Sequence, residues 1–238
     1  MNEFNILTTY YNNKKLLLNF IDGYLHHKNT YPFLKLIIVD DGSMIHPAHE
    51  FLEKENLPDV SLYRVTEDLG FNSHGCRNLA MTVTDSYWNL LLDSDIHLKK
   101  INLDFLITYP VDNNDVIELN INSLFINKDA YFSCNGYDEE LRNIHTGDTF
   151  FTDYLKKHYN FECWNGKFGR INLIHARAGR VNIFTKDVNI TTYDDAKGIL
   201  YSPIIPNRKK LYNAIFDRYS KNNFTEKKIL TFPWIKVW

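Results

Sequence analysis

Four short, mostly apolar runs, at residues 4–9, 34–39, 61–65 and 88–92, are separated by segments whose apolar residues recur at helical spacing. This alternation constrains the fold most. Runs with so little polar interruption belong to strands buried on both faces, the pattern of parallel strands covered by helices. The helical stretch over 14–25 carries Leu17, Leu18, Ile21 and Leu25 on one face, and further helices are expected at 49–55 and from Ser73 onward. The prediction is an α/β fold with a central, mostly parallel sheet flanked by helices, and such sheets bind ligands at the carboxyl ends of their strands. Three of the runs lead into polar clusters: Thr8-Thr9-Tyr10-Tyr11-Asn12, Asp40-Asp41-Gly42-Ser43 and Asp93-Ser94-Asp95. One pocket can use all three.

The second half is less regular. Strands are expected at 116–119 and 124–126, a short helix at 128–132, a helix at 148–158 with Phe151, Tyr154 and Leu155 inward, and a strand at 172–175. No repeat or Pro/Gly-rich linker interrupts the pattern, so residues 1–186 read as one domain of two halves, 1–98 and 99–186. A polar helix-and-loop extension follows over 187–238. Its end mixes Lys227, Lys228 and Lys236 with Phe232, Trp234 and Trp238. Such a mixture can rest on a membrane surface, but packing on its own domain is the favoured expectation.

A chain of 238 residues can bury a core without disulfides. Its three cysteines, Cys76, Cys134 and Cys163, form no Cys-x-x-Cys pair, which argues against structural zinc and against a secreted disulfide framework. The 27 Lys and Arg residues balance 29 Asp and Glu residues, so there is no global electrostatic case for binding nucleic acid. Residues 1–5 lack a signal-peptide pattern, and no apolar run approaches the ~20 residues that span a bilayer. A cytoplasmic setting is the expectation.

Asp93 and Asp95 stand two apart at the end of an apolar run, where alternate residues of an extended chain point the same way. Paired carboxylates suit Mg2+ or Mn2+, and a cation held by so few protein oxygens keeps positions free for nucleotide phosphates. Asp41, after a buried strand, can accept hydrogen bonds from a base N–H or a ribose hydroxyl. Taken singly, Asp-x-Asp and Asp-Asp-Gly-Ser are also ordinary turns.

Together with Asp68-Leu69-Gly70-Phe71-Asn72 and Cys76-Arg77-Asn78, these segments resemble, in order and spacing, the nucleotide-sugar-binding half of family 2 glycosyltransferases with the GT-A fold. Cys134-Asn135-Gly136-Tyr137-Asp138-Glu139-Glu140-Leu141 is similar to that family's Gly-Gly-Phe-Asp-Glu segment, and Gly147-Asp148-Thr149-Phe150-Phe151 to its Glu-Asp segment. The resemblance covers roughly residues 4–176. It implies that Thr9, Tyr11 and Asp41 cradle the base and ribose, that Arg77 lies near the donor diphosphate or sugar, and that Asp95 binds the metal. Asp93 would contact the ribose, the sugar or the metal through water, and His175 would be a further metal ligand. Asp148 would be the general base of a single, inverting displacement, with Asp138 as fallback. Gly147 replaces the family's glutamate, and Asp148 is also placed to cap its helix. Trp164 is either a stacking platform for an acceptor sugar or a core residue, and His74 and His145 carry no assigned role.

The activity expected is metal-dependent transfer from a nucleoside diphosphate sugar, with a UDP-sugar favoured, to a hydroxyl of a glycan or other acceptor. A nucleotidyltransferase also needs a nucleotide site and an acidic metal pair, but would show a Gly-rich basic loop where residues 8–12 lie. A non-catalytic sugar-nucleotide or glycan-binding module is the second alternative.

Overall fold

The computed structural model describes residues 2–120, 122–142, 148–164 and 208–238. In chain order its elements are β1 (Phe4–Tyr10), α1 (Lys14–Thr30), β2 (Lys35–Asp40), β3 (Val60–Val65), α2 (Ser73–Val83), β4 (Trp88–Asp93) and α3 (Leu103–Thr108). They continue as β5 (Asp115–Asn120), β6 (Ser123–Asn127), α4 (Lys128–Phe132), α5 (Asp148–His158), β7 (Asn160–Cys163), α6 (Arg208–Ser220) and β8 (Trp234–Lys236). The eight strands form one mixed sheet in the order β7-β5-β6-β4-β1-β2-β3-β8. Its centre is parallel, with β1 between β2 and β4 and β3 beyond β2. Antiparallel pairings of β6 with β4 and of β8 with β3 flank that centre.

The continuous apolar runs follow from burial on both faces. Ile6, Leu36, Ile38, Leu90 and Leu92 point to one side, against Leu17, Phe20, Ile21 and Tyr24 of α1. Leu7, Ile37, Val39 and Leu91 point to the other, against Cys76, Leu79 and Ala80 of α2. Each such side chain contributes about 1.5–3 kcal/mol when fully buried. Leu18, expected on the buried face of α1, is instead exposed.

The helix expected at 49–55 is two short 3-10 turns, Ala48–Glu50 and Lys54–Asn56. Pro47 and Pro58 bracket this stretch, and one or two turns between prolines are too few to propagate an α-helix. The strand expected at 172–175, with His175, lies outside the described residues, as do His145 and Gly147. Over 208–238 the chain packs into the main core: Ile215, Tyr219 and Phe232 join the α2-side cluster, and β8 extends the sheet. No helix among the described residues is long and apolar enough to cross a membrane.

Candidate functional site

Parallel register brings the polar strand ends together. Thr9 lies between Val39 of β2 and Asp93 of β4, and Tyr10 lies beside Asp40. The two adjacent aspartates then divide their work. Asp40 is fully buried and accepts from the Ser43 and Ala48 backbone N–H groups (2.8 Å each) and from Arg64 Nη1 (3.2 Å), so it builds the turn. Gly42 has φ +68°, and a Cβ there would run into the Glu67 carbonyl. Asp41 accepts from the Asn72 N–H at the start of α2 through Oδ2 (2.8 Å), while Oδ1 is buried with no conventional partner. Burial, only partly offset by Asn72 and the Cys76 thiol, pushes the Asp41 carboxyl up to about 7. Tyr11 Oη donates to Asp68 (3.1 Å to Oδ2), and burial and that carboxylate raise its phenol to about 12.

α2 joins the strand ends to α5. Eight of its eleven residues are buried, including the polar His74, Arg77 and Asn78. Arg77 Nη2 donates to Asp93 Oδ1 (2.5 Å) and Nη1 to Tyr137 Oη (3.2 Å). One turn earlier on the same face, His74 Nε2 meets Asp148 Oδ1 at 2.7 Å. Asp148 opens α5 with 19% of its side chain exposed. Burial alone would raise its carboxyl, but the His74 hydrogen bond and the Arg77 charge more than offset this and hold it below the usual range. Burial raises Asp93 against the pull of Arg77, and the nearby Asp95 adds to the rise. Thus Arg77, Asp93 and Asp148 form one electrostatic unit, with Asp95 at its edge. His74 carried no assigned role in the sequence; its only signal was the i, i+3 relation to Arg77.

Asp138 sits elsewhere. It is buried, caps the 3-10 turn Glu139–Leu141 through the Glu140 N–H (3.3 Å), and pairs with Arg218 of α6. Trp164 is core: its ring packs on Phe105 and Tyr109 with centroids 4.6 and 4.8 Å away.

Strand β4 ends at Asp93, and a turn closed by Ile96 N–H to Asp93 O (3.1 Å) carries Asp95. The carboxylates therefore approach through a turn rather than along an extended strand as expected from spacing. Both are half-buried. Among the described residues no group of three or more His, Cys, Asp or Glu is arranged to hold a metal ion. Two hard oxygen donors nevertheless fit Mg2+ or Mn2+ whose remaining positions are filled by phosphate and water.

The model of the family "Glycosyl transferase family 2" matches residues 5–170. Similar solved structures include S. aureus TarS 1-349 in complex with UDP, at 15% identity and TM-score 0.56, covering 70% of this chain and 59% of that one. The mannosyltransferase PcManGT from Pyrobaculum calidifontis, in complex with GDP-Man and Mn2+, is 13% identical with TM-score 0.54, covering 68% and 54%. The catalytic domain of Drosophila beta1,4galactosyltransferase 7, in complex with xylobiose, is 11% identical with TM-score 0.53, covering 83% and 79%. At these identities the likeness is one of fold, and this chain spans less than two thirds of the length of TarS 1-349 and PcManGT. No protein of curated function matches it in sequence.

Proposed function

Because the chain belongs to glycosyl transferase family 2, we propose that it moves a sugar from a nucleoside diphosphate sugar, UDP-linked by preference, to an acceptor hydroxyl on a glycan or similar molecule, with inversion. The observation that carries this reading is the bridge made by α2, which ties Asp93 through Arg77 and Asp148 through His74 into one polar cluster at the strand ends. Asp41, with an unpartnered buried oxygen, is suited to a base N–H, with Thr9 and Tyr11 beside the ribose. Arg77 keeps a positive charge where the diphosphate would lie. Asp95 and Asp93 would hold Mn2+ or Mg2+, with His175 the further ligand that the family resemblance implies. When bound, such a cation offsets the charge that develops on the departing diphosphate.

Asp148 is the base. The acceptor oxygen bonds to the anomeric carbon as the bond from that carbon to the diphosphate oxygen breaks, and the hydroxyl proton passes to Asp148. Asp138, tied to Arg218, is poorly placed for the role. The complexes of TarS 1-349 and PcManGT hold UDP and GDP-Man, which supports a nucleoside diphosphate donor and leaves the base to experiment.

Thermal melting with UDP and GDP, each with and without Mn2+, tests the site first, since ligand at 100 times its Kd raises stability by about 2.7 kcal/mol. Asp95→Ala should abolish the Mn2+-dependent part of the shift. Asp148→Asn should lower transfer by roughly 10²- to 10⁴-fold, the usual worth of a general base, with UDP affinity preserved. No shift with any nucleoside diphosphate, with or without Mn2+, would overturn the proposal.

A further inference from the structure

His74 is fully buried on α2, 74 residues from Asp148 in sequence, yet its Nε2 lies 2.7 Å from Asp148 Oδ1. The rest of the ring is enclosed by aromatic neighbours. Tyr137 packs on it with centroids 5.4 Å apart, and Phe71 meets it edge-on at 6.3 Å. Its other nitrogen, Nδ1, is buried with no hydrogen-bond partner. An orphaned buried nitrogen costs about 1–3 kcal/mol, so an apolar side chain would serve the local packing better than imidazole does. What the imidazole adds is the single contact to Asp148.

We propose that His74 is a positioning residue for the base: it fixes the Asp148 carboxylate from α2, so that the exposed part of the group is held ready for the acceptor hydroxyl. This rests on the glycosyl-transfer reading and deepens it. Gly147, directly before Asp148 in the chain, has no side chain to support the carboxylate; His74 supplies a polar support from a different element. Among the described residues the ionisable groups facing Asp148 are His74 and Arg77 from α2, Asp93 from the end of β4 and Tyr137 from the loop before the Glu139–Leu141 turn. Arg77 and Tyr137 also hold each other, at 3.2 Å, leaving His74 as the group whose direct bond Asp148 receives from α2.

The test compares His74→Leu, which removes the hydrogen bond, with His74→Gln, whose amide N–H can stand in for Nε2–H. His74→Leu should lower kcat by about 10²-fold, the scale set by a misplaced reacting group, with donor KM nearly unchanged. Its acid limb should move to higher pH, because burial then acts on Asp148 with less opposition. His74→Gln should recover most of kcat and return the acid limb toward its original position. A His74→Leu protein that melts normally and keeps both kcat and its acid limb, while Asp148→Asn abolishes transfer, overturns the role of His74 alone. Full transfer by Asp148→Asn would instead overturn the base assignment beneath it. Should His74→Leu fail to fold, His74→Gln decides: a folded Gln variant with no measurable transfer overturns the proposal.

Discussion

Two carboxylate clusters meet at α2, and adjacent residues of that helix serve them: Arg77 faces the strand-end cleft, and Asn78 faces the region where the chain's last segment straps down the loop at 134–140. The ingredients are the same and the outcomes are opposite. In the strap, Glu139 accepts from Asn78 Nδ2 (2.9 Å), Leu230 N–H (2.8 Å), Thr231 N–H (3.1 Å) and Thr231 Oγ1 (3.0 Å). Asp138 has Arg218, and the buried Lys227 ammonium donates to Cys134 O (2.7 Å), Gly136 O and Tyr219 Oη (3.0 Å). Gly136, at φ +68°, passes so close to Asn78 Oδ1 that a Cβ would collide with it. At the strand ends, by contrast, Thr8 Oγ1, Asp41 Oδ1 and the nearby Asn72 Nδ2 are buried without partners, and 35% of the Asp93 side chain is exposed. Saturated polar groups stabilise a scaffold; unsaturated ones at strand ends hold capacity for a ligand.

That contrast predicts that the strap carries stability and the cleft carries function. The largest stability effect should come from Arg218→Met. It leaves the Asp138 carboxylate, 1% exposed, without its cation, and stripping one partner from a buried pair costs about 3–5 kcal/mol. In a chain of this size that corresponds to a fall of roughly 10 °C in Tm. UDP affinity, measured well below the new Tm, should be unchanged. A variant that melts with the wild type but loses nucleotide binding would reverse the contrast.

In the cleft the opposite sign is expected. The Asp41 carboxyl is pushed up to about 7 by burial, so the folded protein keeps a proton there that the unfolded chain has released above the ordinary carboxylate range. The unfolded state then binds fewer protons, and stability falls as pH rises from about 4 to about 7. At 1.36 kcal/mol per pKa unit the loss is at most about 4 kcal/mol. Asp41→Asn removes this loss, at the expense of a weaker acceptor for the Asn72 N–H. Denaturant melts at pH 7.5 should therefore find the variant more stable than wild type by about 1–2 kcal/mol, an advantage that disappears near pH 4. Isothermal titration should show weaker UDP binding. An Asp41→Asn protein that is less stable at both pH values would remove Asp41 from the class of residues kept at a cost to stability.

The parallel core was legible because residues 4–9, 34–39 and 88–92 announce burial on both faces, and the structure extends those strands by a residue or so at their ends. Helix α5 begins and ends where its apolar spacing placed it. Local pattern could not report the partners. His74 and Asp148 are 74 residues apart and Asp138 and Arg218 are 80 apart, so neither bond leaves a trace in either residue's neighbourhood. Strand β8 shows the same limit: Trp234, Ile235 and Lys236 are all exposed, with no alternation for period counting to find, and pairing with β3 alone makes them a strand. The spacing of Asp93 and Asp95 places them two apart in the chain, but the turn that joins them depends on where β4 stops.

The smallest effect concerns Asp148, and its sign separates it from Asp41. Burial pulls the Asp148 carboxyl up, but the His74 bond and the Arg77 charge prevail, so its folded pKa lies below the unfolded value. For a depressed carboxylate the stabilising contribution is present above the unfolded pKa and is lost as pH falls through the folded one. Asp148→Asn should accordingly be slightly less stable than wild type at pH 7, and the gap should close as pH is taken below about 4, the ordinary carboxylate range. The gap for Asp41→Asn has the opposite sign and closes at higher pH, between about 7 and about 4, so paired urea titrations of the two variants at pH 7.5, at pH 4 and below the ordinary carboxylate range read both signs and separate the two windows. If Asp148→Asn instead gains stability at pH 7, as Asp41→Asn should, then His74 and Arg77 do not compensate its burial, and the carboxylate stands in the cleft as a neutral acid unable to take a proton.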